Sequence, residues 1–408
     1  MTGGPLAGVK VLDLTAVVVG PVCTQTLADH GAEVIKVEPP DGDLLRTLGG
    51  KSRSGAMASK FLAFNRNKRS LAIDMKADEG REIMARLVEK SDVLVANIRP
   101  PALQRLGLGY DACARRNPRL IYCSLVGFGQ NGRYRAKPAY DTIIQGSTGV
   151  AACYARAAGE PRYVPMVMAD HIVGLIAVQQ IAMALYHRER TGAGQAIEVP
   201  MFENMAAFVL SEHLYLRTFE PPLGGTGDPR VINPEAKPLP TKDGYICISA
   251  NTNAQAFGFF EAIGRPELKN DPRFSSIAAR FAHVQDYFEL RATALQSRTT
   301  AEWLEIFDRL DVPAMPYHDF ESLLEDPHLA DVGLVGAVEH PTEGRILNVG
   351  VPNRWSDARR TDYLPPPKIG QHSVEILEEL GYPPDRVRAL AERRVIVDGR
   401  LRSDSKAD

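Results

Sequence analysis

Short apolar segments alternate with helical segments through the first half of the chain, and this alternation limits the fold more than any other feature. Residues 9–14 and 33–37 predict two strands, and residues 21–30 between them predict a helix that ends at Gly31. Further strand-like segments cover residues 71–74, 93–96, 120–126 and 196–199. Strands that alternate with helices predict an α/β fold in which a doubly wound parallel sheet carries helices on both faces.

The composition changes after residue 220, where a second domain is predicted to begin. Residues 221–240 are rich in Gly and Pro, as in a linker. A strand at 244–249 follows, and then helices are predicted at residues 254–263, 283–296 and 300–310. Thr299 and Glu302 have the spacing of a capping box at the start of the last of these helices.

We therefore predict three segments along the chain. Residues 1–220 form a large domain, residues 221–325 form the linker and a smaller α+β domain, and residues 326–408 return to the large domain. The last segment is predicted to be extended at first and to end in two amphipathic helices, at 373–380 and 384–394, before a disordered tail at 402–408.

Charge and cysteine usage restrict the possible partners and the compartment. The 408 residues include 48 basic and 50 acidic side chains, and this near-neutral balance argues against a nucleic-acid or acidic-membrane partner. Five widely spaced cysteines without a CxxC motif predict reduced thiols in the cytoplasm. Residues 1–10 do not have the pattern of a secretory signal, and the apolar run 172–186, interrupted by Gln179 and Gln180, predicts a core helix and no membrane span.

Several motifs of known chemistry are absent or lack the right context. Gly127, Gly129 and Gly132 match GxGxxG after a strand, but residues 133–138 do not open an apolar helix, so a turn is predicted and a dinucleotide site is rejected. The sequence has no P-loop, no HExxH and no GxSxG. It therefore does not favour an NTPase, a zinc hydrolase or a serine hydrolase, and we expect no metal ion.

Basic residues in the first hundred or so positions follow the predicted strands. They are Arg66, Lys68, Arg69, Lys76, Arg99 and Arg105. Loops at the carboxyl ends of parallel strands border the ligand crevice of such a sheet, so these side chains could bind phosphates. A solvated basic face is an equally good interpretation.

Asp170 stands just before the apolar run 172–185 and is predicted to cap the helix formed by that run. The free N–H groups and partial positive charge of a helix N-terminus favour an anion, so this carboxylate is predicted to be ionised and fixed in position. A fixed carboxylate can serve as a nucleophile. Because Asp is among the commonest capping residues, an ordinary cap is the alternative at this position.

Motifs along nearly the entire chain occur in the order found in one enzyme family. They are Pro5-Leu-Ala-Gly-Val-Lys-Val-Leu-Asp-Leu14, Gly20-Pro21, Leu27-Ala-Asp-His-Gly-Ala-Glu-Val-Ile-Lys-Val-Glu38, Asn65-Arg-Asn-Lys-Arg-Ser70 with Asp74, Asn97-Ile-Arg-Pro100, Gly127-Phe-Gly129, and Asp170 with Arg188-Glu-Arg-Thr-Gly-Ala-Gly-Gln195. The sequence thereby resembles the type III CoA-transferases, which also include the α-methylacyl-CoA racemases. The resemblance implies a Rossmann-like large domain, a smaller domain, and two chains interlocked as a homodimer.

The resemblance also assigns roles to individual residues. Asp170 takes the position of the nucleophile, and coenzyme A is part of the substrate, with no prosthetic group. The CoA contacts of the family fall on Val17, Ile73, Lys76, Asn97, Ile98 and Arg105 and, with a shift of one residue, on Lys137. A basic contact near the adenine falls on Pro39, so that end of the nucleotide must be held differently here.

One departure from the family separates transfer from racemisation. The racemases have Gly-His-Asp where this chain has Ala139-Tyr140-Asp141, as in the transferases. Tyr140 is a poor substitute for an imidazole base, because an unperturbed Tyr has a pKa of about 10 and His one of about 6.5. His171 follows Asp170 directly and would point elsewhere on the helix. CoA transfer is therefore favoured, with a racemase and a CoA-binding scaffold without chemistry as the alternatives.

A second departure concerns the acyl group. Val18 replaces a glutamine that contacts the acyl group in formyl-CoA and oxalate enzymes, so oxalate is disfavoured as the acceptor. A C4 or C5 dicarboxylate such as succinate, mesaconate or glutarate is favoured, with Arg46 or Arg53 either as a partner for its distal carboxylate or as a solvated loop residue. The glycines of residues 224–227 are a further candidate for covering the site.

Overall fold

A computed structural model describes residues 3–356 and 363–400 of the chain. The predicted tail at 402–408 lies outside these residues. The strands of the described part are β1 (Lys10–Leu14), β2 (Glu33–Glu38), β3 (Lys68–Ala72), β4 (Val93–Ala96), β5 (Ile121–Val126), β6 (Gln195–Pro200), β7 (Leu239–Pro240), β8 (Tyr245–Ile248), β9 (Ala314–Pro316), β10 (Val335–His340) and β11 (Gly344–Val349).

Helices connect these strands and follow them. They are α1 (Val19–Asp29), α2 (Ser59–Phe64), α3 (Asp78–Lys90), α4 (Pro100–Arg105), α5 (Tyr110–Arg116), α6 (Asp141–Ser147), α7 (Val150–Ala158), α8 (Met168–Thr191), α9 (Met201–His213), α10 (Asn253–Ala262), α11 (Ile277–Ala282), α12 (Val284–Ala294), α13 (Thr300–Arg309), α14 (Phe320–Leu324), α15 (Pro327–Val332), α16 (Ser373–Glu379) and α17 (Pro384–Glu392).

Six parallel strands form the main sheet in the order β3-β2-β1-β4-β5-β6. The predicted doubly wound sheet is thereby confirmed. The strand order reverses between β1 and β4, and in such sheets ligands bind in the crevice outside the carboxyl ends of the strands at this reversal. All four residues of β4 are fully buried, as expected for a central strand covered on both faces.

The described chain divides into two compact units. The first consists of Met1–Thr148, Tyr163–Phe208 and Val332–Asp408, and the second of Gly149–Arg162 and Val209–Asp331. These bounds differ from the predicted segments 1–220, 221–325 and 326–408, because the second unit also includes α7 and the end of α9. Within the second unit, Phe259, Phe260, Trp303 and Phe307 form an aromatic core, and the predicted capping box of Thr299 and Glu302 is present.

The C-terminal helices belong to the first unit and complete its core. Leu377 of α16 and Leu390 of α17 lie in one hydrophobic cluster with Leu12 and Leu94 of the central strands. The Val397 N–H donates to the Ala72 carbonyl at 3.0 Å, so this part of the chain also closes the end of β3. The C-terminal segment thus packs against the sheet of the first unit.

Two elements differ from expectation for identifiable reasons. β3 begins at Lys68, three residues before the predicted strand, because the Lys68 side chain is fully buried and charged residues do not register in an apolar pattern. The stretch after Asp326, predicted as extended, first forms α15 and only then the antiparallel pair β10–β11.

α8 is the long core helix predicted from the apolar run. It packs on α1, where Gly174 permits close approach: a Cβ there would lie 2.7 Å from the Val19 carbonyl oxygen. It ends at Gly192, which has φ 77°, as the glycine stop signal predicted. Among the described helices it is the one with the length and apolarity that a membrane span needs, but its buried Arg188 pairs with Asp92 at 2.9 Å, and it packs as a helix of the sheet unit.

Candidate active site

The start of α8 carries Asp170, although not as a cap. The helix begins at Met168, so Asp170 is its third residue, and the N-cap residue Val167 makes no side-chain capping bond. The prediction that Asp170 caps the helix is wrong, because another carboxylate takes the free amides. Asp141 Oδ1 accepts the Ala169 N–H at 2.8 Å and the Asp170 N–H at 3.3 Å.

Asp141 is held in this position by Gln145, one turn further along α6. Gln145 Nε2 donates to Asp141 Oδ2 at 2.6 Å and to the Met166 carbonyl at 3.0 Å, and Gln145 Oε1 accepts the Val164 N–H at 2.8 Å. Both side chains are buried. Asp141 and Gln145 therefore tie α6 to the segment that leads into α8.

The Asp170 carboxyl group lies in a different environment from its neighbour. Within residues 3–356 and 363–400, the Asp170 side chain makes no hydrogen bond or ion pair. Burial and the Asp141 carboxylate raise its pKa from 3.8 to about 7, and Lys60 opposes this rise. The expectation that the helix terminus holds Asp170 ionised is therefore wrong, since Asp141 receives that stabilisation.

An apolar cluster that includes Phe61 of α2 reaches the start of α8. Val18 is only 3% exposed and belongs to a cluster with Val22, Leu45, Met57 and Phe61, and Val167 at the start of α8 packs against the same cluster. Phe64 meets the His171 ring edge-on, with 5.4 Å between ring centroids, and burial lowers the pKa of His171. Tyr140, which replaces the racemase histidine, is 68% exposed.

The loop after β1 carries the predicted CoA contact Val17, and a second predicted contact, Asn97, holds this loop by hydrogen bonds. Val17 has φ 68°, a left-handed conformation that is strained for a β-branched residue. Its N–H donates to Asp43 Oδ1 at 3.2 Å. Asn97, after β4, binds the neighbouring Ala16 twice, through the Ala16 N–H at 3.0 Å and its carbonyl at 2.8 Å.

The other predicted CoA contacts also follow strands of the sheet. Ile73 and Lys76 follow β3, whereas Ile98 and Arg105 follow β4, so the structure brings them to one edge. Lys76 and Arg105 are exposed, but Ile73 is fully buried, which leaves only its backbone for a ligand. Lys137 follows β5, and its ammonium group lies over the Tyr134 ring at 4.5 Å. Their contact with CoA remains a prediction.

A buried ion network beneath these loops was missed from the sequence. Lys68 contacts Asp13 at 3.2 Å, Lys36 contacts Asp43 at 2.9 Å, and Arg46 contacts Glu38 at 2.8 Å. Hydrogen bonds and the neighbouring cations hold the pKa values of Asp13 and Glu38 below their ordinary range, although burial acts in the opposite direction. The signal that could have revealed the network is the placement of Lys36 and Lys68 inside strands that are otherwise apolar.

This network corrects the suggestion that Arg46 binds a distal carboxylate or is a solvated loop residue. Arg46 is only 3% exposed, and both Nε and Nη2 donate to Glu38, so its guanidinium group is occupied. The Arg53 side chain is exposed and donates to the Glu343 carbonyl, while the Arg53 backbone N–H binds the Glu343 carboxylate at 2.8 Å.

Two glycine-rich segments, residues 127–132 and 224–227, are held by hydrogen bonds from glycine N–H groups. In the segment from Gly127 to Gly132, the Gly129 N–H donates to Glu203 Oε1 at 2.9 Å, which fits the predicted turn rather than a dinucleotide loop. In the second unit, the Gly227 N–H donates to the His213 carbonyl at 2.8 Å. No group of three or more His, Cys, Asp or Glu side chains suited to a metal ion occurs in the described parts of the chain.

Comparison with known proteins gives one consistent result. The profile of a family described as CoA-transferase family III matches residues 6–373. A Homo sapiens succinyl-CoA:glutarate CoA-transferase is 32% identical over 379 residues, which cover 92% of this chain and 86% of that protein. An Escherichia coli O6:H1 formyl-CoA:oxalate CoA-transferase is 33% identical over 421 aligned positions, covering 96% and 99%. A crystal structure of a CAIB/BAIF family protein from Brucella suis matches with a TM-score of 0.78 and 32% identity, covering 93% and 100%.

Proposed function

The chain belongs to CoA-transferase family III and is an enzyme that moves CoA from an acyl-CoA to a carboxylic acid, and we propose that Asp170 carries the acyl group and then CoA during this transfer. The observation that supports this role is the unpartnered Asp170 carboxyl group at the start of α8, where Val167 packs on the same apolar cluster as the predicted CoA contact Val17. A group that makes no bond of its own in the described chain is available to a substrate.

The first half of the reaction transfers the acyl group to the enzyme. A carboxylate oxygen of Asp170 attacks the thioester carbonyl carbon, the C–O bond forms, the C–S bond breaks, and CoA thiolate leaves with the electron pair. The thiolate then attacks the aspartyl carbonyl of this mixed anhydride. The donor acid leaves as a carboxylate, and Asp170 carries CoA as a thioester.

The second half repeats these steps in reverse order with the acceptor acid. Its carboxylate attacks the aspartyl thioester and releases CoA thiolate, which then attacks the acyl carbonyl of the new anhydride. The products are the acceptor acyl-CoA and free Asp170. Because a mixed anhydride is more reactive toward water than a thioester, the protein has to orient the groups and to exclude water.

We infer that the acyl group is a C4 or C5 dicarboxylate. The human relative named above is a succinyl-CoA:glutarate CoA-transferase, and its identity to this chain equals that of the formyl-CoA:oxalate enzyme within one per cent. The feature that favours the longer acids is the apolar cluster at Val18, since Val167 joins this cluster to the start of α8. Lys60, whose charge acts on Asp170, is the cation that we assign to a distal carboxylate.

We also propose a homodimer in the cytoplasm. α8 leaves Leu175, Met183 and Tyr186 at 48%, 56% and 67% exposure, and a second copy of the chain would cover this apolar face. All five cysteines are free thiols, in keeping with a reducing compartment. A monomeric mass in sedimentation equilibrium at micromolar concentration would rule out the dimer.

Trapping with hydroxylamine tests the role of Asp170. Incubation with succinyl-CoA or glutaryl-CoA and hydroxylamine should convert Asp170 to a hydroxamate, which peptide mass spectrometry detects, and should inactivate the enzyme. Asp170→Asn should lose transfer activity by about a thousandfold or more, whereas Asp111→Asn, which changes an exposed Asp in the first turn of α5, should retain it. Full activity of Asp170→Asn would overturn the proposed role of Asp170.

The acceptor is identified separately, by assaying the wild-type enzyme with a panel of carboxylic acids.

A further inference from the structure

The carboxylates of Asp141 and Asp170 share one helix terminus but differ in what they contact. Asp141 binds the amides of Ala169 and Asp170 with one oxygen and Gln145 with the other, at distances of 2.6 to 3.3 Å. The Asp170 side chain has no hydrogen-bonding partner in the described residues. The free amides at the start of α8 therefore bind Asp141 and leave the Asp170 carboxyl group without a partner.

Asp141 and Gln145 also fix the segment that precedes α8. The chain leaves the first unit after Thr148 and re-enters it at Tyr163. Gln145 binds the backbone of Val164 and Met166 directly after this re-entry, and Asp141 binds the next turn. The two side chains thus set the position of the backbone that carries Asp170.

Among the described residues, the groups that act on this pair come from three helices. Asp141 comes from α6, Lys60 from α2, and His171 from α8 itself, while the Phe64 ring of α2 packs on His171. Asp141 and Lys60 act on Asp170 in opposite directions. With His171 neutral, Asp141 is the charged group among these that opposes a second anion at Asp170.

We propose that Asp141 is a positioning residue that favours acylation of Asp170, because it holds the start of α8 and keeps a negative charge beside the reacting carboxyl group. This inference rests on the proposed function. When Asp170 attacks a thioester, a C–O bond forms at its oxygen, the C–S bond breaks, and the negative charge departs with CoA thiolate. Acylation therefore removes the repulsion between the two carboxylates, just as protonation does.

Removal of the Asp141 charge should shift the pH profile of kcat/KM in a defined direction. The anion of Asp170 is the reactive form, and its pKa of about 7 places the acid limb of kcat/KM near neutrality. Asp141→Asn removes the neighbouring charge and should move this limb to lower pH by about one unit, although burial still keeps it above the ordinary range of Asp. Lys60→Gln should move the limb to higher pH.

The same substitution should change the amount of covalent enzyme. One unit of limb shift corresponds to about a tenfold change in the equilibrium constant for acylation, because both report the cost of the Asp170 anion. In a fixed mixture of acyl-CoA and CoA, intact-protein mass spectrometry should therefore find about tenfold less adduct relative to free enzyme in Asp141→Asn. Gln145→Leu, which breaks the contact but keeps the charge, should lower kcat and leave the limb in place.

The outcomes separate this inference from the proposed function. An unmoved acid limb and an unchanged adduct level in folded Asp141→Asn would overturn the role of Asp141, while an inactive Asp170→Asn would leave the proposed function standing. Activity in Asp170→Asn would overturn both. If Asp141→Asn does not fold, the other two variants test the proposal. It is contradicted if Lys60→Gln does not move the acid limb of kcat/KM to higher pH. It is also contradicted if Gln145→Leu moves this limb.

Discussion

Carboxylates at two places in the sheet unit lie in opposite electrostatic surroundings. Beneath β1–β3, Asp13, Glu38 and Asp43 each contact a cation, and the pKa values of Asp13 and Glu38 are lowered. At the start of α8, Asp170 lies beside another carboxylate, and its pKa rises to about 7. The carboxylates that pair with cations hold loops in place. The anion of Asp170 has no such partner, so its free energy is raised, and acylation or protonation lowers it.

The largest effect is expected from removing one charge of the paired set. Asp13→Asn should lower the free energy of unfolding by about 3–5 kcal/mol, because Lys68 and Lys36 remain buried with one carboxylate fewer. Urea unfolding at pH 7 measures this loss. Asp78→Asn, which removes an exposed helical partner of Arg81, is the control and should change stability by less than about 0.5 kcal/mol. Equal effects of the two substitutions would contradict the contrast.

The opposite sign is expected at Asp170. Its pKa in the folded protein is raised from 3.8 to about 7, so the folded state binds more protons between these values, and stability falls as pH rises through that window. Asp170→Asn removes this cost and should stabilise the protein by up to about 4 kcal/mol at pH 8 and by much less at pH 5. Thermal unfolding at both pH values measures the difference. A less stable variant at pH 8 would show that Asp170 is paired.

A smaller effect is expected where the two regions meet, at Val17. Asp43 belongs to the paired set and also accepts the N–H of this strained residue. Val17→Gly should relieve the left-handed conformation and raise stability by about 1 kcal/mol, while the freer loop should weaken CoA binding. Calorimetric titration with CoA, compared with Val11→Ala in β1 as a core control, separates the two effects. Tighter CoA binding in Val17→Gly would contradict a positioning role of the strain.

The sheet was predictable from sequence because burial on both faces leaves apolar runs that alternate with helical periodicity. The bounds of β1 and β4 were predicted to within one residue for this reason. The start of β3 was not, because Lys68 is buried by pairing with a residue 55 positions earlier. Pairing over such a distance leaves no local pattern.

The same limit explains what was wrong at the site. The sequence indicated that Asp170 begins a helix and reacts, but the helix amides bind Asp141, 29 positions earlier than Asp170. Which of the two aspartates accepts the hydrogen bonds of the helix amides depends on how α6 packs on α8. The protonation of Asp170 follows from that packing, so it could be derived only from the structure.

The return of α16 and α17 to the sheet has a consequence for synthesis on the ribosome. All six strands of the main sheet have been made once Pro200 is complete, but Leu377 and Leu390, which cover the same core, are made about 180 and 190 residues later. At roughly 5–20 residues per second, this face of the sheet stays uncovered for about 10 to 40 s. During much of its synthesis the nascent chain therefore exposes an apolar face. A truncated chain that ends before Ser373 should depend on chaperones or aggregate.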